Sequence, residues 1–181
     1  MCCSFLVQIV YGLVMIVTIS FNSSAIFLGW LSQDGDSYAY ITCPEDLRNK
    51  TESTAFCEGA QSSQATHEKV ISATIVLANL IGLAALTYNF FTLCACCCKE
   101  YLTKILCAIT TGMTVMIAIG LITFLVNKGA AIDIAKKYNP HLANKEFTLG
   151  LGFFFGVGAL IFSIINIILA ALAKFLASLC L

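Results

Sequence analysis

Charge is scarce in this chain. Asp, Glu, Lys and Arg make up 11% of its residues and apolar types 59%, whereas soluble proteins carry about 25% charged residues. A soluble domain could not hide so much apolar surface, so the chain reads as an integral membrane protein. The formal net charge is zero, and the absence of a basic patch argues against a nucleic-acid partner. Histidine occurs only as His67 and His141, lone loop residues without ligand spacing to the thiols, which argues against a metal site. No ionisable residue falls in the middle of an apolar run, where a transporter or proton relay needs one. Proline occurs twice: Pro44 breaks a strand-like run, and Pro140 closes a helical one. There is no Gly-rich phosphate loop, no cofactor motif and no catalytic constellation. The formal CxxC in Cys94-Ala95-Cys96-Cys97 is separated from the loop cysteines by a membrane span, too far for a thiol relay. The chain reads as non-enzymatic.

What is present is apolar length. Four runs reach the roughly 20 residues that a bilayer core requires: about 5–31, 70–95, 102–126 and 147–176. The first lacks a basic n-region and is too long for a signal peptide, and Gly29-Trp30-Leu31 reads as an interfacial aromatic anchor rather than a cleavage site. Residues 1–181 therefore form a single tetraspan membrane domain with both termini on one side. The expected fold class is an all-α four-helix membrane bundle, with loops at 32–69 and 127–146 on the opposite side from the termini.

The interval 32–69 is the long polar stretch, with seven of the ten acids: Asp34, Asp36, Glu45, Asp46, Glu52, Glu58 and Glu68. Tyr38-Ala39-Tyr40-Ile41-Thr42-Cys43 has the aromatic and β-branched composition of a strand, and residues 51–56 offer a weaker return strand. The interval also holds Cys43 and Cys57, with the sequon Asn49-Lys50-Thr51 between them. If the two thiols pair, they close a small β-type lobe with Asn49 at its tip, where a glycan fits; such a bond stabilises by about 3 kcal/mol in the chain-entropy model. Otherwise they are two free thiols.

The remaining cysteines suggest which face is inside. Cys2, Cys3, Cys94, Cys96, Cys97, Cys98, Cys107 and Cys180 fall on or near the face that carries the termini, as suits a reducing compartment. Cys2, Cys3, Cys94, Cys96, Cys97 and Cys98 are juxtamembrane candidates for S-palmitoylation. The expected location is the plasma membrane with cytoplasmic termini. The Lys/Arg distribution points the other way, with Lys99, Lys104 and Lys174 inside against seven outside.

Within the spans, Gln8, Asn22, Ser23 and Ser24 are expected to hydrogen-bond between helices. Ala78 and Gly82, then Gly112, Met116 and Gly120, offer small faces for close approach. The third helical pattern continues past Val126 through Ala131, Ile132, Ala135 and Tyr138 to Asn139-Pro140, with Gly129 its weak point. Gly152 and Gly156 form GxxxG, read as packing within the bundle rather than as a dimer face. Of Phe153, Phe154 and Phe155, at least one should face lipid.

Several of these motifs resemble the claudin-like tetraspan superfamily, which includes the peripheral myelin protein group and gamma-type channel subunits. Lys104 to Gly112 followed by Gly120-Leu121 resembles the start of the claudin third helix. Tyr138-Asn139-Pro140 followed by Phe147-Thr148-Leu149-Gly150 resembles the second loop entering helix four, and Trp30 sits where that family keeps a tryptophan. Of the Gly-Leu-Trp-x-x-Cys signature only the aromatic-x-x-Cys spacing survives, with Tyr40 in place of Trp. The resemblance implies a small disulfide-closed sheet, with Cys43 and Cys57 as the pair, resting on a four-helix bundle. It also implies either cell–cell contact and paracellular barrier formation by self-association, or an auxiliary role on an ion channel or receptor. The expected contact residues are Tyr38, Tyr40 and Phe56, with Asp34, Asp36, Glu45, Asp46 and Glu52 as a charged rim; the lipid bilayer is the remaining partner.

Overall fold

The computed structural model describes residues 2–33, 36–38, 66–94, 99–138 and 148–179. Among them four helices run α1 (Cys2–Phe27), α2 (Thr66–Cys94), α3 (Lys99–Tyr138) and α4 (Leu151–Leu179). All four are long and apolar enough to cross a membrane, so the four-span expectation holds. Three short strands accompany them: β1 (Leu31–Gln33), β2 (Asp36–Tyr38) and β3 (Thr148–Leu149).

The helices form a ring in which α1 touches α2 and α4, and α3 touches α2 and α4. Side-chain contacts fix the directions. Asn89 meets Gln8 while Asn79 meets Ser23, so α1 and α2 are antiparallel. Thr18 meets Asn166 and Trp30 meets Phe153, so α4 also runs against α1. Gly82 lies against Met113, and Gly120 against Ile75, which makes α2 and α3 antiparallel. The start of α1, the end of α4 and the junction between α2 and α3 therefore share one end of the bundle, as four spans require.

Two span boundaries differ from the hydropathy reading. The first helix stops at Phe27, not Leu31. Leu28 still donates to Ser24 O at 3.0 Å, but from Gly29 onward the chain bonds to the entry of α4 instead. Gly150 N donates to Trp30 O at 2.8 Å, and Gly152 N donates to Gly29 O at 3.0 Å. Thr148 and Leu149, expected to begin the fourth span, are strand for the same reason: they pair antiparallel with Ser32 and Leu31. Hydropathy cannot see this exchange, because Leu and Trp are as apolar in a strand as in a helix.

α3 is continuous from Lys99 to Tyr138, through Gly129 and up to the residue before Asn139-Pro140. The expected continuation of the helix past its apolar span is thus present. A single glycine costs a helix interior only about 1 kcal/mol, too little to break a helix of this length.

The core is filled from all four helices. Tyr11, Met15, Ile75, Met113 and Ile117 are fully buried near its axis, and Phe21 packs edge-on against Phe162. The outer faces carry Leu6, Leu13, Leu80, Ile122 and Ile168 exposed, as lipid-facing surfaces should. Of the three consecutive phenylalanines, Phe153 is buried and Phe154 is exposed, so the expected outward ring is Phe154.

Candidate functional site

One end of the bundle is closed by a sheet of order β2-β1-β3, all antiparallel. β1 and β2 form a hairpin with Leu31 opposite Tyr38, Ser32 opposite Ser37 and Gln33 opposite Asp36. β1 is also bonded on its other side to β3, and Thr148 Oγ1 donates to Ser32 O at 3.0 Å. The roots of both long loops, 39–65 and 139–147, are thereby tied to one platform. Asp34-Gly35 between the strands is the strongest short sequence signal for a two-residue hairpin connection; it was legible, and hydropathy obscured it.

Trp30 sits beneath this platform and is 1% exposed. Its Nε1 donates to Ala25 O at 2.7 Å, which satisfies the one polar atom of the ring. Phe124 of α3 packs edge-on at 4.9 Å between centroids and Phe153 of α4 at 6.1 Å. Trp30 is therefore an internal plug joining three helices, not the interfacial anchor that its place at the end of an apolar run suggested. Gly152 makes the fit possible: a Cβ there would run into Leu28 O and lie 2.7 Å from Trp30 Cδ1. Gly150 is equally close to the backbone of Gly29 and Leu31. Gly156, the other half of GxxxG, faces Leu121 of α3. The motif thus serves contacts within the chain, as expected.

The second notable feature is polar and lies between the helices. Asn22 Nδ2 donates to Ile75 O at 3.0 Å, Asn79 Nδ2 to Ser23 Oγ at 2.9 Å, and Asn89 Nδ2 to the Gln8 carbonyl at 3.2 Å. All three cross from α1 to α2. Across the bundle, Asn166 Nδ2 donates to Thr18 Oγ1 at 3.0 Å. Tyr11 and Thr110 share a bond of 2.7 Å; since Thr110 Oγ1 already donates to Leu106 O at 2.8 Å, Tyr11 is the donor. Bonds of this kind average about 0.6 kcal/mol in a membrane, so they specify register more than they add stability. Asn22 and Ser23 serve as the sequence suggested, whereas Ser24 bonds back within α1 to Ser20 O. Asn79, Asn89 and Asn166 were missed. Each is a lone amide in an apolar run, and that pattern was the available signal.

Not every amide is satisfied. Gln8 Nε2 and Oε1, and Oδ1 of Asn22, Asn79, Asn89 and Asn166, have no hydrogen-bond partner among the described residues. A buried polar atom left unpaired costs about 1–3 kcal/mol, and lipid offers nothing to relieve it.

Of the expected contact residues, Asp36 and Tyr38 lie in β2, one at each end of the strand. Asp34, Tyr40, Cys43, Glu45, Asp46, Asn49, Glu52, Phe56 and Cys57 lie outside the described residues. Among the thiols, Cys2 and Cys3 begin α1 and Cys94 ends α2, so these three share the end opposite the sheet. Cys96, Cys97 and Cys98 lie outside the described residues. Cys107 is a half-buried free thiol, and no group of His, Cys, Asp or Glu suited to a metal ion occurs among the described residues.

The family model described as Amastin surface glycoprotein matches residues 41–170, well over half of the chain. The match takes in α2, α3, β3 and most of α4 and leaves α1 with its hairpin outside. No curated protein and no solved structure matches the chain.

Proposed function

The chain belongs to the amastin family, and on that footing we propose that it is a non-enzymatic surface tetraspan whose first loop makes contacts outside the cell while the helix bundle holds that loop in place. The observation that carries this reading is the β1–β3 pairing, which roots both long loops on one platform. A loop meant only to connect two spans needs no such tie to a third. The interval 32–69 also holds seven of the ten acids, and β2, within it, leads directly from the platform into the rest.

In this reading the sheet-bearing end faces outward and the thiol-bearing end faces the cytosol. The family's description as surface glycoproteins agrees with a glycan at Asn49, and an oxidising exterior suits a Cys43–Cys57 disulfide. Cys2, Cys3, Cys94, Cys96, Cys97 and Cys98 then lie where acyl chains can be added. Tyr40 and Phe56, flanked by Glu45, Asp46 and Glu52, are the contact residues, since aromatic residues dominate binding hot spots. Self-association across a cell–cell or cell–membrane contact is the proposed mode, by analogy with the claudin-like motifs at 104–121 and 138–150.

The decisive experiment places tagged protein in cells of which only some express it. The expected result is enrichment where two expressing cells touch, lost when Tyr40 and Phe56 are replaced by Ser. Uniform distribution at such borders, together with co-purification of an ion channel in mild detergent, would move the protein to the auxiliary-subunit class. Uniform distribution without any co-purifying protein defeats both contact readings.

A further inference from the structure

The seam between α1 and α2 carries a second site, distant from the sheet. Gln8 and Asn89 are 0% and 1% exposed and meet near the thiol-bearing end of the bundle. Asn89 Nδ2 donates to the Gln8 backbone carbonyl at 3.2 Å. A carbonyl can only accept, so this bond fixes the orientation of the Asn89 amide, and Oδ1 is necessarily the atom left over. The side-chain amide of Gln8 has no partner at either end among the described residues. Gly12, one turn beyond Gln8, makes room for the pair: a Cβ there would stand 3.0 Å from Asn89 Nδ2.

Two amide oxygens and one amide nitrogen, buried on two helices joined by the bond from Asn89 to the Gln8 carbonyl, are left without partners among the described residues, and together they call for both a donor and an acceptor. Water supplies both kinds of partner, and a buried water typically makes about three such bonds. A cation would suit the two oxygens but leave the Gln8 amide nitrogen unpaired, and neither Gln8 nor Asn89 brings a carboxylate to balance its charge. We propose that Gln8 and Asn89 form an internal water site between α1 and α2, in which ordered water donates to Gln8 Oε1 and Asn89 Oδ1 and accepts from Gln8 Nε2. The site fastens the two helices on the side of the bundle where the sheet provides no clamp.

Brief radiolytic labelling of the full chain in lipid nanodiscs tests this, because hydroxyl radicals formed from bound water mark the side chains beside it. Tyr11, three residues from Gln8 and 0% exposed, is the reporter; Trp30, 1% exposed with its nitrogen satisfied, is the control. Normalised to intrinsic reactivity, Tyr11 should label several-fold faster than Trp30. In the Gln8→Leu/Asn89→Leu double variant, where both polar partners are replaced by apolar groups of similar size, that excess should vanish. Equal rates for Tyr11 and Trp30 in the unmodified chain would overturn the proposal, as would an excess that survives in the double variant. A rise in Trp30 labelling would report that the variant has misfolded, and the comparison within the unmodified chain then decides alone. Loss of the excess when sodium and potassium are replaced by choline would assign the site to a cation and also overturn it.

Discussion

The two ends of the bundle close in opposite ways. Around Trp30, at the sheet-bearing end, Trp30 Nε1 is bonded to Ala25 O, Gly150 N to Trp30 O and Gly152 N to Gly29 O. The space around them is filled by Phe124 and Phe153. At the thiol-bearing end, Gln8 and Asn89 are as deeply buried but leave three amide atoms over. The first end is held by shape and backbone pairing, which tolerate little change in volume. The second is held by amides, which tolerate changes in polarity badly and small changes in shape better. Burial alone therefore does not say what a position resists.

Substitutions should separate the two ends, and the largest effect belongs to the sheet-bearing one. Trp30→Ala removes a ring that joins three helices and should cost about 3–5 kcal/mol, read as a large fall in unfolding temperature in detergent. Gly152→Val follows: its side chain would meet the Leu28 carbonyl and Trp30, and overpacking costs about 1–3 kcal/mol, here towards the upper end because backbone cannot turn aside. Its expected readout is loss of surface delivery. At the other end Tyr11→Phe deletes one hydrogen bond and leaves Thr110 bonded to Leu106 O, so unfolding should detect a loss of only about 1 kcal/mol. If that substitution proved as costly as Trp30→Ala, the contrast between the ends would fail. The smallest effect should be a gain. A Cβ at Gly112 or Gly129 would have nothing within 4 Å, so Gly112→Ala or Gly129→Ala should stabilise by about 0.5–1 kcal/mol through helix propensity, detectable as a modest rise in the same unfolding curves.

The glycines also show how far the sequence could be read. Gly112, on a face with Gly120, and Gly152, in GxxxG, promise on paper the same close approach. Only Gly152 has a neighbour pressed against it, because which helix face meets which depends on contacts far apart in the chain. The four spans and the continuation of α3 past Val126 were legible, since each rests on a local pattern: apolar length in one case, and Ala131, Ile132, Ala135 and Tyr138 followed by Pro140 in the other. The ends of the first and fourth spans were not. Leu31 and Leu149 become strand by bonding to each other across more than a hundred residues, and no window of hydropathy contains both. The site divided in the same way. Asp36 and Tyr38 could be singled out by position in the polar interval, and the clamp of Trp30 and Gly152 beneath the sheet required the fold; Cys43, Asn49 and Cys57 lie outside the described residues.

α3 carries one more consequence. Beyond Gly129, where its apolar span ends, the helix continues for nine residues to Tyr138, a rise of about 14 Å along its axis. That distance, measured from the end of the apolar run, exceeds the screening length of about 8 Å in physiological salt. The helix is in this sense a ruler: it sets the charges at its tip apart from the apolar run by more than one screening length.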